Sequence, residues 1–331
     1  MIILGIESSC DETSIAVIEN NKVLSNIVSS QLMHQEYGGV VPEFASREHM
    51  KNIIFVMNKA LQKADINYDQ VDGIAVTRGP GLMGALLVGL SFAKGLALAS
   101  HKPLLGINHI EGHIMANFLD HDDIEYPFLC LLVSGGHTMI IEVADHGDYK
   151  IVGQTVDDAA GEGFDKGGKI LHLTYPAGPI IDKIAKEGER AFHHFPRADI
   201  KNREYDFSFS GLKTSLYYLV KRKGRQWAKD NLNDICASYQ EAIVDALQEK
   251  FFKYARENKV KNLVLAGGVA ANSRLREVFK MKAEQEGYNI FFPSLQYCTD
   301  NAAMIARAGV EEYRENNFSD LNLKAIPNLK L

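Results

Sequence analysis

Phe128-Leu129-Cys130-Leu131-Leu132-Val133, then Ser134-Gly135-Gly136-His137, then Thr138-Met139-Ile140-Ile141-Glu142-Val143: an apolar run, a small polar turn and a second run rich in β-branched residues. The pattern predicts two strands joined by a glycine turn. The N-terminus has the same plan, with Ile2-Ile3-Leu4-Gly5-Ile6, a polar turn from Ser8 to Glu12, Ser14-Ile15-Ala16-Val17-Ile18, and Val23-Leu24-Ser25-Asn26-Ile27-Val28. Apolar residues then return at helical spacing over 44–64, strand-like Gly73-Ile74-Ala75-Val76-Thr77 follows, and a helix is predicted from near Met83. A βββαβα plan written twice predicts an α/β protein of two similar lobes, each carrying polar turns aimed into a shared nucleotide cleft.

The expected boundaries are residues 1–120 with 300–331 for an N-terminal lobe and 121–299 for a C-terminal lobe, the first division falling in the acidic loop Asp120-His121-Asp122-Asp123. At 331 residues the chain is long enough for two cores. Its 46% hydrophobic and 24% charged residues fit neither a disordered nor a fibrous chain. Cys10, Cys130, Cys236 and Cys298 lie far apart with no C-x-x-C spacing, so reduced thiols in the cytoplasm are expected. Met1-Ile2-Ile3-Leu4-Gly5 lacks a basic leader, and residues 79–100 read as a buried helix entry, so neither export nor membrane insertion is expected. A formal charge of −6 does not mark a nucleic-acid binder, so any RNA contact has to be local; Lys221-Arg222-Lys223-Gly224-Arg225-Gln226-Trp227 is one place for it, or else a solvated helix end.

His109-Ile110-Glu111-Gly112-His113 is the sharpest local signal. At roughly 100° per residue the two histidines fall within about 40° on one helix face, where both can ligate one metal ion. Glu111 lies about 200° from either, which argues against a zinc-protease arrangement. Asp300, at the start of a predicted last helix over 301–313, is either a third ligand or that helix's N-cap. Two histidines and one carboxylate leave positions open for substrate oxygens and suit iron(II) or zinc. Three polar turns, at 7–14, 133–138 and 266–272, each follow a strand and suit phosphate, because glycine admits close backbone N–H groups. The stretch 157–182 is dense in acids, of which Asp165 and Asp182 are natural partners for ribose hydroxyls, or else solvated acids beside helix starts.

Together with Asp158-Ala159-Ala160-Gly161-Glu162, Phe209-Ser210-Gly211-Leu212-Lys213, Ala266-Gly267-Gly268-Val269-Ala270-Ala271-Asn272 and Thr299-Asp300-Asn301-Ala302, these motifs resemble the bacterial TsaD (Gcp) family, in its order and over nearly the whole chain. The resemblance implies a two-lobed actin/Hsp70/sugar-kinase fold of duplicated ribonuclease-H-like topology. It implies a metal-dependent tRNA N6-adenosine threonylcarbamoyltransferase, which moves the threonylcarbamoyl group from threonylcarbamoyl-AMP to the adenosine 3′ of the anticodon. Carried over by position, His109, His113 and Asp300 hold a divalent metal, iron(II) before zinc or magnesium. Val133, Ser134, Gly135, Gly136, His137, Asp165, Gly178, Asp182 and Asn272 bind substrate. Glu12 and His137 are the two choices for the group that takes the amine proton. The implied partners are tRNA, an inactive TsaB-like paralogue and a small TsaE-like ATPase. The small residues Gly84, Ala85, Gly89, Ser91 and Ala93 suit packing against the paralogue, or within the chain's own core. The chief alternative is an ATP-dependent kinase or ATPase of the same fold, which has no use for two imidazoles on one helix. A non-catalytic scaffold would be expected to lack the ligands and glycine turns found here.

Overall fold

The computed structural model describes residues 1–31 and 33–331, which divide into two compact units, Met1–Asp122 with Pro293–Leu331, and Asp123–Phe292. The chain returns to the first unit at Pro293 rather than at Asp300, so residues 293–299 belong with the metal-ligand candidates.

In the first unit the strands β1 (Ile2–Glu7), β2 (Glu12–Glu19), β3 (Lys22–Ser30), β4 (Gly73–Gly79) and β5 (Leu104–Asn108) form one sheet in the order β3-β2-β1-β4-β5. β1 is antiparallel to β2 and parallel to β4. Alternation along β1 decides what each face buries. Ile3 points with Ala75, Leu105 and Ile107 toward the Ala302–Arg314 helix. Leu4 and Ile6 point with Ile74 and Val76 toward the Pro42–Ala64 and Met83–Ser100 helices. Both faces are covered, which is why β1 reads as nearly continuous apolar sequence. Each fully buried Ile or Leu of this set contributes roughly 1.5–3 kcal/mol. A Cβ at Gly5 would run into the backbone of Ala302 and Ala306, so this glycine sets how closely the last helix approaches the sheet.

The second unit repeats the plan. β6 (Phe128–Val133), β7 (Thr138–Asp145), β8 (Asp148–Gln154), β9 (Asn262–Ala266) and β10 (Asn289–Phe291) lie in the order β8-β7-β6-β9-β10. β6 is antiparallel to β7 and parallel to β9. Order and direction match the first sheet strand for strand, so the duplication read from two hairpins extends to both whole sheets. The Ala160–Ile170, Gly178–Ala185, Ser210–Lys223 and Leu232–Glu257 helices stand between β8 and β9, and the Ser273–Glu286 helix between β9 and β10.

The Met83–Ser100 helix has the length and mean hydropathy, 1.6, of a membrane span. Its Ala85, Leu86, Gly89, Leu90, Ala93 and Ala97 are nevertheless buried within the first unit. A Cβ on Gly89 would meet the Ser8 hydroxyl, and one on Gly84 the Ser46 hydroxyl. Of the two uses open to these small residues, packing against a partner or within the chain's own core, Ala85, Gly89 and Ala93 serve the unit's own packing. Outward from this helix and its neighbour stand Met50, Ile54, Phe55, Met83 and Leu87, each about half exposed or more.

Candidate functional site

Asn108 starts the His109–Met115 helix by accepting the Ile110 amide on its side chain, 2.9 Å away. Its own amide group donates to the Lys330 carbonyl at 3.0 Å. The C-terminal stretch, which carries no motif, thus helps fix the helix with both histidines; it also bonds Ile326 N to Arg78 O and accepts Gly81 N on Pro327 O. His109 and His113 are buried on one face, their ring centroids 4.7 Å apart.

Asp300 completes the group. Asn301 is the N-cap of the last helix, its side chain accepting the Met304 amide at 3.1 Å, so capping does not occupy Asp300. Asp300 Oδ1 lies 3.1 Å from His113 Nε2 and 3.5 Å from His109 Nε2. The three residues each present a ligand atom within 4.8 Å of the others. His113 is 1% exposed, and among the described residues neither of its ring nitrogens has a hydrogen-bond partner, although Nε2 is close enough to Asp300 for Coulomb attraction. A buried imidazole whose Nδ1 has no partner and whose Nε2 faces only a carboxylate is costly unless something else binds it. Nitrogen and carboxylate donors on three positions fit iron(II) or zinc with coordination positions left open.

Sequence reading passed over Glu7 as a site residue. Its carboxylate is fully buried at the end of β1, accepts the Ser9 amide at 2.5 Å and the Thr77 hydroxyl at 2.6 Å, and stands 3.0 Å from His109 Nδ1. That contact leaves His109 Nε2 facing Asp300, the arrangement by which an outer carboxylate orients a ligating imidazole. Burial would raise both Glu7 and Asp300, but the adjacent His109 outweighs it and holds Glu7 low and Asp300 well below the carboxylate range. Burial likewise would discharge His109, while Asp300 and Glu7 push it well up. The group is an electronegative pocket that favours a cation. Glu12, at the start of β2, has its carboxyl pushed well up by burial, then by Asp300 and Asp11. The preceding turn is pinned from below, Ser8 donating to Ala85 O at 2.9 Å and Leu82 N to Ser9 O at 2.8 Å.

The second unit brings the remaining candidates into a connected series. After β6, Ser134 N donates to His137 O at 2.8 Å, and His137 N to Ser134 Oγ at 3.1 Å. Gly135 and Gly136 at the tip are exposed, and a Cβ on either would meet open space. Among the described residues no acceptor engages their amides, as a phosphate-binding turn requires. Gly267 packs against Val133: its φ is +87° and a Cβ there would stand 2.5 Å from the Val133 carbonyl oxygen, so both glycine's conformation and its smallness are used.

Asp165 accepts the Ala177 amide at 2.7 Å and bonds the Gly178 amide, at the start of the Gly178–Ala185 helix; burial still leaves its carboxyl raised. From that helix Asp182 accepts the Ser273 hydroxyl at 2.8 Å and amide at 3.2 Å. Asn272 caps the following helix on Leu275 N at 2.9 Å and donates to Gln240 at 2.7 Å. These three polar residues hold successive helix starts together, which is the bland reading of the acids at 165 and 182.

The chain matches the sequence profile described as TsaD, tRNA N6-adenosine threonylcarbamoyltransferase, over residues 22–307. It is 51% identical over 332 residues to the tRNA N6-adenosine threonylcarbamoyltransferase of Fervidobacterium nodosum, covering 99% of this chain and 98% of that one. It is 51% identical over 334 residues to the enzyme of the same name in Thermosipho africanus, covering all of both chains. Among solved structures, the activator of 2-hydroxyisocaproyl-CoA dehydratase from Clostridium difficile superposes over the full length of both chains with a TM-score of 0.54 at 15% identity, a likeness of fold alone.

Proposed function

This chain belongs to the TsaD family of tRNA N6-adenosine threonylcarbamoyltransferases, and from that membership we propose that it forms threonylcarbamoyladenosine in tRNA with the help of one divalent cation on His109, His113 and Asp300. The amine N6 of the adenosine 3′ of the anticodon attacks the carbamoyl carbonyl of threonylcarbamoyl-AMP. A carbon–nitrogen bond forms, the carbon–oxygen bond to phosphate breaks, AMP leaves with the electron pair, and the amine gives up a proton. An aromatic amine is a weak nucleophile, so catalysis rests on positioning and on stabilising developing negative charge, with no covalent enzyme intermediate.

The observation that carries the metal reading is the convergence of three ligand atoms, two imidazole nitrogens and a carboxylate oxygen, in one buried group. When bound, iron(II), or zinc or magnesium in its place, supplies a Lewis acid that orients the threonylcarbamoyl oxygens. Glu7 keeps His109 in the ligating orientation. The unengaged amides of Gly135 and Gly136 suit the phosphate of the adenylate, with Val133, Ser134, His137, Asp165, Gly178, Asp182 and Asn272 shaping the nucleotide site. Glu12 and His137 remain the two choices for proton acceptor; normal turnover by Glu12→Gln or His137→Ala removes that residue from the mechanism.

The reading includes a cytoplasmic enzyme that works with an inactive paralogue and a small ATPase. The apolar residues Met50, Ile54, Met83 and Leu87, facing outward from two packed helices, support a docking face for the paralogue. The test is transfer of labelled threonine from threonylcarbamoyl-AMP into unmodified tRNA, with partner proteins supplied. Label with the native chain and its loss in His109→Ala is expected. ATP hydrolysis or phosphate transfer to a small molecule with no label in tRNA would replace the reading with a kinase.

A further inference from the structure

Residues 207–229 contain six cations and no acid, in a chain whose net charge is −6. Five of them fall at one turn: Lys221, Arg222 and Lys223 end the Ser210–Lys223 helix, Gly224 breaks it at φ +93°, and Arg225 and Lys229 lie on the Arg225–Asp230 helix. Every residue from 221 to 226 is exposed. Among the described residues, none of the five forms an ion pair or donates a side-chain hydrogen bond. Three other cations of this unit carry close acidic partners, Lys166 with Asp158, Arg197 with Asp245 and Arg274 with Glu241.

Compensation of the helix dipole does not account for the cluster. Cations at 221–223 suit the end of one helix, but Arg225 stands in the first turn of the next, where the dipole favours an acid. His193 is held below the ordinary histidine value by burial first, with the nearby Arg222 and His194 adding to it.

Aromatic rings are interleaved with the charges. Tyr217 and Tyr218 are 49% and 61% exposed, and Lys221 Nζ lies 5.9 Å from the Tyr217 ring centre. Phe192 stacks on Trp227 at 5.8 Å, with Lys223 Nζ 5.5 Å from the indole. Unmatched cations beside exposed rings suit a polyanion that also has bases to stack, which a folded RNA with unpaired loop nucleotides provides and a lipid surface does not.

We propose that the turn around Gly224 grips the phosphate backbone of the tRNA, with Tyr217 and Tyr218 receiving unstacked bases. The assignment rests on the reading of tRNA as substrate and adds the surface that holds it. It is tested on the full chain by fluorescence anisotropy with unmodified tRNA across a salt series. The combined variant Lys221→Gln, Arg222→Gln, Lys223→Gln, Arg225→Gln should bind more weakly, with the slope of log affinity against log salt reduced by about 3. Tyr218→Ala should lower affinity roughly five- to a hundredfold with the slope unchanged. All these positions are exposed, and unchanged melting curves verify the fold. Native affinity and slope in the fourfold variant would overturn the surface and leave the transferase reading standing. No tRNA binding and no label transfer by the native chain would sink that reading and the surface with it. Equal capture of phosphatidylglycerol vesicles, lost in the same variant, would reduce the turn to a general anion site and overturn the RNA assignment.

Discussion

Replacing Glu7 by Gln separates an orienting carboxylate from a merely structural one. The two side chains have nearly the same shape, so no cavity forms at this fully buried position. One oxygen must remain toward the Ser9 amide at 2.5 Å, so the new NH2 faces His109 Nδ1 and Thr77. The ring then accepts at Nδ1 and carries its proton on Nε2, the atom that faces Asp300 at 3.5 Å, and a protonated nitrogen cannot ligate. Restoring the ligating tautomer sets two N–H groups against each other and forfeits a charge-assisted hydrogen bond, worth about 1.5–3 kcal/mol. Loss of such an outer partner typically weakens metal binding by about 10- to 100-fold, or roughly 1.4–2.7 kcal/mol, and the two figures agree. The assay is titration of the metal-free chain with zinc against a competing chelator, beside His109→Ala, which should lose more. Zinc affinity within about twofold of the native chain, at an unchanged melting temperature, would refute the orienting role.

Two further predictions use other parts of the molecule. Burial opposes ionisation of Asp157, but hydrogen bonds from the Ser208 and Ser210 hydroxyls and the Phe209 and Ser210 amides outweigh it and depress its pKa. A depressed carboxylate contributes stability above its unfolded value, near 3.8, and loses it as pH falls through the folded value, so urea midpoints of the native chain and Asp157→Asn should differ at neutral pH, begin to converge as pH falls below 3.8 and meet only below the depressed folded value. On the Met83–Ser100 helix, Gly89→Leu should cost about 1–3 kcal/mol or more in urea unfolding through overpacking against Ser8, whereas Leu87→Asp should leave stability intact and abolish co-purification with the paralogue. The opposite pattern would dispose of the docking face.

What the sequence disclosed was governed by distance along the chain. The hairpins β1-β2 and β6-β7, the long helices and the histidine pair are local patterns of period 2 or 3.6 and read directly. β8 and β10 did not: Asp148-Tyr149-Lys150-Ile151-Val152-Gly153-Gln154 is an edge strand with mixed exposure, and Asn289–Phe291 spans three residues, too short for a period. Asp300 was ambiguous because capping falls to Asn301 beside it, a choice made by backbone geometry. Glu7 was missed as a site residue because its role exists only across separations of 70 and 102 residues, to Thr77 and His109. The acids at 165 and 182 looked like ligand partners, and the structure also gives them helix starts to hold.

The late return of the chain to its first unit has a consequence on the ribosome. β1 to β5 and both histidines emerge early, yet the helix that covers one face of their sheet, Ala302–Arg314, is synthesised after the whole of Asp123–Phe292. Until then that face lacks its cover, while the second unit, whose residues are contiguous, is complete in sequence and can fold first. Asp300 enters on the same late segment. On the proposed metal reading, capture by all three residues is a late event of biosynthesis, and a ribosome stalled before residue 300 holds a chain with both histidines and not the carboxylate.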